Sequence, residues 1–151
     1  LESLAKHGNF GLTLTCVGDL EIDSHHTIED CALALGTALK RALGDKAGIG
    51  RFGFIIPMDE TLANVAIDLS GRPSFNFTGD FPTDHVGEFP SEMCPHVFDS
   101  LSQTLGASIH ISVNGENTHH MIEACFKGVA RALRPAFKRS GNIIASTKGV
   151  I

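Results

Sequence analysis

The sequence predicts an α+β domain in which a sheet is backed by helices. Three observations carry this reading. Short apolar alternations have the two-residue period of strands, longer segments repeat their apolar residues every third or fourth position, and turn residues interleave the two kinds. At 151 residues, 42% hydrophobic and 19% charged, the chain has the composition of an ordinary globular domain. Its length suits one core, or two small half-domains sharing one.

The elements follow in order. Phe10, Leu12, Leu14 and Cys16 alternate with Gly11, Thr13 and Thr15, which predicts a half-buried strand running to Gly18-Asp19 and continued by Leu20 and Ile22. Asp23 and Ser24 offer an N-cap to a helix from about His25 to Leu43, stopped by Gly44, with Ile28, Leu35, Leu39 and Leu43 on its apolar face. Arg51 to Glu60 is punctuated by Gly and Pro. Val65, Ile67 and Leu69 alternate as a strand, Ser70-Gly71-Arg72-Pro73 turns, and Phe75 and Phe77 belong to the neighbouring strand. Met93, Val97, Leu101 and Leu105 recur every fourth residue in a helix over Ser91 to Leu105. Ile109, Ile111 and Val113 form a strand, and Asn117-Thr118 caps a helix from about His119 to Phe137, with Pro135 near its end. The tail from Ser140 is rich in turn residues.

A net charge of −5, with Lys and Arg scattered, argues against a nucleic-acid surface, which needs a clustered basic face. No apolar run reaches the roughly 20 residues needed to span a bilayer, and Leu1 to Phe10 lacks the charged-then-apolar order of a signal peptide. Cys16, Cys31, Cys94 and Cys125 form no C-x-x-C pair and read as reduced, mostly buried thiols. Histidine is the unusual residue: there are eight, four of them in two adjacent pairs.

Those pairs belong to an internal repeat. At a shift of 94 residues, His25-His26-Thr27-Ile28-Glu29 falls on His119-His120-Met121-Ile122-Glu123. Cys31 then meets Cys125, Ala38-Leu39 meets Ala132-Leu133, and Ala42 meets Ala136. The chain therefore reads as a single domain over 1–151 made of two repeated halves, about 1–80 and 81–151. On a helix, positions four apart share a face. His25 with Glu29 can grip one ion, and His119 with Glu123 another. The second histidine of each pair is rotated by about 100° from the first, so it serves a different ion. More than one metal is implied, with ligands from both halves or from different subunits. Imidazole with carboxylate suits Mn²⁺, Fe²⁺ or Zn²⁺. The helix N-terminus itself disfavours a cation, and Glu29, Glu123 and Asp30 supply compensating charge. His96 stands beside the apolar stripe of its helix, where it can deliver a ligand from a third helix, whereas His7, His85 and His110 are isolated.

Taken together, GDLEIDSHHTIED (18–30), ALGDKAGIGRFG (42–53), PMDE (57–60), VAIDLSGRP (65–73), NTHHMIEACFKGVARALRPA (117–136) and STKGV (146–150) resemble the imidazoleglycerol-phosphate dehydratase family over nearly the whole chain. The resemblance implies a duplicated α/β half-domain fold, and a homo-oligomer of trimers assembled into a 24-subunit shell in the cytoplasm, or in a plastid if the source is a plant. It implies that His25, His26, Glu29, His96, His119, His120 and Glu123 ligate two Mn²⁺ ions per active site at subunit interfaces. Arg51, Arg72, Ser146 and Lys148 would hold the phosphate of a phosphorylated imidazole substrate. The implied reaction is a dehydration in histidine biosynthesis. An imidazolate bound between two Mn²⁺ ions expels the side-chain hydroxyl to give a diazafulvene-like intermediate, and loss of the neighbouring proton gives the enol of the ketone product. Glu123 is the candidate acid–base group. The family pattern places a strand, a further metal histidine and an acidic residue ahead of a helix like LESLAKHG, and this chain begins after them. Two other readings use the same ligands: a dinuclear hydrolase, and a metal-storing shell without catalysis. Arg51, Arg72 and Lys148 converging near the metals would count against the hydrolase, and manganese dependence of dehydratase activity separates these readings from the enzyme.

Overall fold

The computed structural model describes residues 1–151, apart from the side chain of Ile55. Helix α1 spans Glu2–Gly8 and α2 spans His25–Leu43; strands β1 (Phe52–Met58), β2 (Thr61–Asp68) and β3 (Ser74–Thr78) follow. A small hairpin of β4 (His85–Val86) and β5 (Phe89–Pro90) leads into α3 (Met93–Leu105), β6 (Ser108–Asn114) and α4 (Thr118–Phe137). One four-stranded sheet runs β1-β2-β6-β3, so it draws strands from both sides of residue 80. The class is α+β, as the interleaved periodicities predict.

Burial alternates along β2: Thr61, Ala63, Val65 and Ile67 point inward, while Leu62, Asn64 and Ala66 face out. The inner face carries α4 against β1 and β2, and α3 against β3 and β6. A second helical layer lies on the first, with α2 packed on α3 and α1 on α4. Phe98, Leu101, Leu105, Ile109, Ile111, Val129 and Leu133 are fully buried between these layers. Close approach of β1 to α4 requires Gly53, because a β-carbon there would run into the backbone of Ala132.

Two strand expectations change. Residues 9–23 contain no strand, and Leu14, Val17, Leu20 and Ile22 are exposed. The alternation is real, since Phe10 and Leu12 still pack on the core, but a strand also needs a neighbour for its backbone groups. Within these 151 residues none is offered. The second change is the neighbour of Phe75 and Phe77. Strand β3 pairs in parallel with β6, Phe75 opposite Ile109 and Phe77 opposite Ile111, and not with β2. Helix α3 supplies the crossover that a parallel pair requires.

The repeat extends into the backbone. At a shift of 97 residues Ser3-Leu4 meets Ser100-Leu101, and Leu12 and Leu14 meet Ile109 and Ile111. Helix α1 ends at Asn9 (φ 60°, ψ 46°) and α3 at Gly106 (φ 68°, ψ 51°), both left-handed, a conformation that Gly and Asn adopt most easily. Residues 11–17 are thus the counterpart of β6. The counterpart lies unpaired, whereas β6 is paired on both sides, with β2 and β3.

Candidate metal centre and anion cavity

The two histidine pairs open the helices α2 and α4, and capping fixes both starts. In α4 the Asn117 carboxamide oxygen accepts from the backbone N–H of His119 (2.9 Å) and His120 (3.4 Å). In α2 one of the two expected cap residues acts: Asp23 accepts from the His25 N–H at 2.7 Å, while Ser24 makes no side-chain cap bond. Local acceptors thus take two free N–H groups at the start of α4 and one at the start of α2, and the imidazoles are left to project.

Around α2 the projection converges. His25 Nε2 lies 3.8 Å from Glu29 Oε2, and His96 Nε2 reaches the same oxygen at 3.5 Å from α3. One ligand atom from each of His25, Glu29 and His96 falls within 4.8 Å of the others. The His96 nitrogen is buried and finds no hydrogen-bond partner among the described residues. Two imidazoles and a carboxylate around an unsatisfied nitrogen are a donor set that fits a divalent ion.

Around α4 the set is smaller. His119 Nε2 lies 3.6 Å from Glu123 Oε2, repeating the i,i+4 geometry. No third metal-type donor joins this pair among the described residues. Glu123 also pairs with Lys127 Nζ at 2.8 Å, which holds its carboxyl below the ordinary value. His119 and Glu123 face a cavity of about 410 Å³ whose other walls include Leu1, Phe89 and Phe126.

The second histidine of each pair points elsewhere. His26 Nδ1 donates to Asp19 Oδ2 at 3.0 Å, and His120 Nδ1 donates to Glu60 Oε2 at 2.8 Å. Both rings titrate above the usual value through these bonds. Glu60 is correspondingly held down to about 2, chiefly by His120. Sequence reasoning singled out neither carboxylate for a site. Their motifs, GDLEID and PMDE, were visible, but the contact of Glu60 spans 60 residues.

Arg51, Arg72, Ser146 and Lys148 line one cavity of about 520 Å³, together with other residues of the tail. Arg51 is committed within it. Its guanidinium forks onto Asp68, Nε to Oδ1 at 2.6 Å and Nη2 to Oδ2 at 3.0 Å, and donates through Nη1 to the Ala145 carbonyl. Such a fork is the strong geometry of arginine and carboxylate. Arg72 and Lys148 are exposed and carry the free cationic character of the cavity. Ser146 Oγ accepts from the Lys148 N–H at 3.2 Å, and the Ser146 carbonyl accepts from Gly149 N–H at 3.1 Å, folding Ser-Thr-Lys-Gly into a turn that presents the lysine. None of the histidine cluster lines this cavity in one copy of the chain.

Comparison with known proteins gives a consistent picture. A family model described as imidazoleglycerol-phosphate dehydratase matches residues 1–133. The chain is 56% identical to the histidine biosynthesis bifunctional protein HisB of Stenotrophomonas maltophilia, over all 151 residues and 42% of that protein. It is 58% identical to the protein of the same name from Legionella pneumophila, covering 43% of it. The chain thus spans less than half the length of these curated relatives. Among solved structures, imidazoleglycerol-phosphate dehydratase from Staphylococcus aureus superposes with a TM-score of 0.86 at 35% identity, covering 92% of this chain and 80% of that one. The enzyme from Pyrococcus furiosus gives 0.87 at 38% identity, with 99% and 82% covered.

Proposed function

Because the chain belongs to the imidazoleglycerol-phosphate dehydratase family, we propose that it supplies the activity for which the family is named, dehydrating D-erythro-imidazoleglycerol phosphate to imidazole-acetol phosphate in histidine biosynthesis. The observation that carries the reading is the presence in one fold of the His25–Glu29–His96 cluster and a separate cavity lined by Arg72, Ser146 and Lys148. A ring-binding and a phosphate-binding donor set are what a phosphorylated imidazole needs.

His25, Glu29 and His96 would hold one Mn²⁺, and His119 and Glu123 a second, with His26 and His120 donating across an interface between copies. When bound, the two ions supply Lewis-acid charge that stabilises the substrate ring, bridged between them, in its anionic form. The protein's own groups do the remainder. Arg72 and Lys148 neutralise the phosphate and Ser146 hydrogen-bonds to it, while Arg51 holds the tail against β2 so that the cavity keeps its shape. Glu123, kept ionised by Lys127, takes the proton from the carbon next to the one that has lost its hydroxyl and hands it to the expelled hydroxide, so that water and an enol leave the site. The enol then becomes the ketone.

The two donor sets have no lining residue in common, which favours a site completed between copies of the chain. A homo-oligomer of trimers that closes into a 24-mer on metal binding, in the cytoplasm, accords with this. The purified full-length protein, stripped of metal and reloaded with Mn²⁺, is expected to release imidazole-acetol phosphate from imidazoleglycerol phosphate, and to release none while stripped. A Mn²⁺-loaded preparation that forms no ketone ends the reading.

A further inference from the structure

Two carboxylates have no task in the ligand sets above, and the structure assigns them one: Asp19 and Glu60 are positioning residues, each fixing a histidine so that its Nε2 is the free, coordinating nitrogen. The inference rests on the metal reading just given and adds the means by which the ligands are oriented.

Both histidine pairs divide the work in the same way. The first ring turns Nε2 toward the glutamate one turn on, at 3.8 Å for His25 and 3.6 Å for His119. The second ring cannot reach that glutamate, being about 100° further round the helix. Its Nδ1 instead meets a carboxylate from outside the helix, Asp19 for His26 and Glu60 for His120. A carboxylate only accepts, so Nδ1 must carry the hydrogen, and in the neutral ring the lone pair is then on Nε2. Packing alone does not hold the His26 ring, whose side chain is 61% exposed.

The repeat does not account for the match. At the shift that superposes α2 on α4, Asp19 falls on Val113 inside β6, whereas Glu60 stands at the turn between β1 and β2. The same contact is reached from unrelated positions. Each carboxylate is also held by its own backbone. Glu60 follows Asp59, which takes a left-handed φ of 49° in the two-residue turn between the paired Met58 and Thr61. Thr61 Oγ1 donates to Glu60 Oε1 at 3.1 Å and leaves Oε2 for the ring. The Asp19 carbonyl accepts from Ile22 N–H at 2.9 Å, closing a turn just before α2. Carboxylates behind metal-binding imidazoles act in this way generally, fixing tautomer and direction.

The test uses full-length protein and Mn²⁺ alone, with free ion followed by its electron paramagnetic resonance signal. Asp19→Ala and Glu60→Ala are expected to weaken Mn²⁺ binding by about 10–100-fold, the usual effect of removing such a partner. Asp19→Asn and Glu60→Gln keep an acceptor oxygen and are expected to recover most of that loss; these isosteres also serve if an alanine variant fails to fold. Nitrogen NMR of labelled histidines in the stripped protein, at a pH above their titration, should report Nδ1–H tautomers for His26 and His120. Binding by the alanine variants equal to that of the parent, isosteres as weak as alanine, or Nε2–H tautomers would each overturn the assignment. If the parent itself takes up no Mn²⁺, the metal reading falls and this inference with it.

Discussion

A buried ring nitrogen without a partner costs on the order of 1–3 kcal/mol, and His96 keeps one among metal-type donors. Removing the ring should therefore separate binding from stability. His96→Ala is expected to weaken Mn²⁺ uptake by more than the ~100-fold upper range for an indirect partner, while the melting temperature of the metal-free protein holds or rises; calorimetry of both forms reads this. Lys127 makes a second case at this scale. It is the first cause of the lowered carboxyl of Glu123, so Lys127→Met should move the Glu123 titration upward toward the ordinary 4.5, seen by carbon NMR in metal-free protein. An unmoved titration would deprive Lys127 of its part in keeping that carboxylate ionised.

At the scale of elements, the helices carry their own addresses and the strands do not. The starts of α2 and α4, their shared histidine spacing and the four-residue stripe of α3 were legible because capping and periodicity are local. The ligand candidates were legible for the same reason, since His25 with Glu29 and His119 with Glu123 meet within one turn. Alternation in residues 10–16 gave the correct inward face for Phe10 and Leu12 but could not state which ladder would receive them. The partner of β3 was likewise a matter of topology, and the reach of Glu60 to His120 depended on where the β1–β2 turn came to rest against α4. Two junctions lend themselves to test. Gly53→Ala forces β1 from α4, and an overpacking cost of about 1–3 kcal/mol corresponds to a loss of roughly 3–10 °C in melting temperature. Asp45, after the end of α2, accepts from the Ala47 N–H and faces Arg139 at 3.5 Å; its carboxyl is lowered, first by Ala47 and then by Arg139. A carboxyl whose folded value is depressed stabilises above its unfolded value, here 3.8, and loses that contribution as pH falls through the folded one. Asp45→Asn should therefore melt earlier than the parent at pH 7, with the two curves converging below pH ~3.8.

For the whole molecule, no described helix is long and apolar enough to cross a membrane, and the helices lie to one side of the four-stranded sheet. The repeat leaves its first half with counterparts of α3, β6 and α4 alone, so the exposed Leu14, Val17, Leu20 and Ile22 mark where pairing is incomplete within these residues. If metal joins ligands from separate copies, Mn²⁺ added to stripped full-length protein should raise its mass in light scattering, and chelation should reverse the change. A mass that ignores Mn²⁺ would remove the shared-ligand part of the proposal while leaving the ligand clusters themselves in place.

The clamp of Arg51 on Asp68 and on the Ala145 carbonyl has a consequence in time. The walls of the cavity proposed for the phosphate come from residues 51, 72, 145–148, 150 and 151, and the link from Arg51 to Ala145 closes a loop of 94 residues. Contacts so distant in sequence order late, because the entropy of bringing the ends together is lost before anything is gained. On refolding from denaturant, the apolar layers between sheet and helices should therefore bury first, and affinity for inorganic phosphate should return in a slower phase. In the native protein the same ordering makes the tail amides the earliest to exchange with solvent, and phosphate bound between Arg72 and Lys148 should slow them.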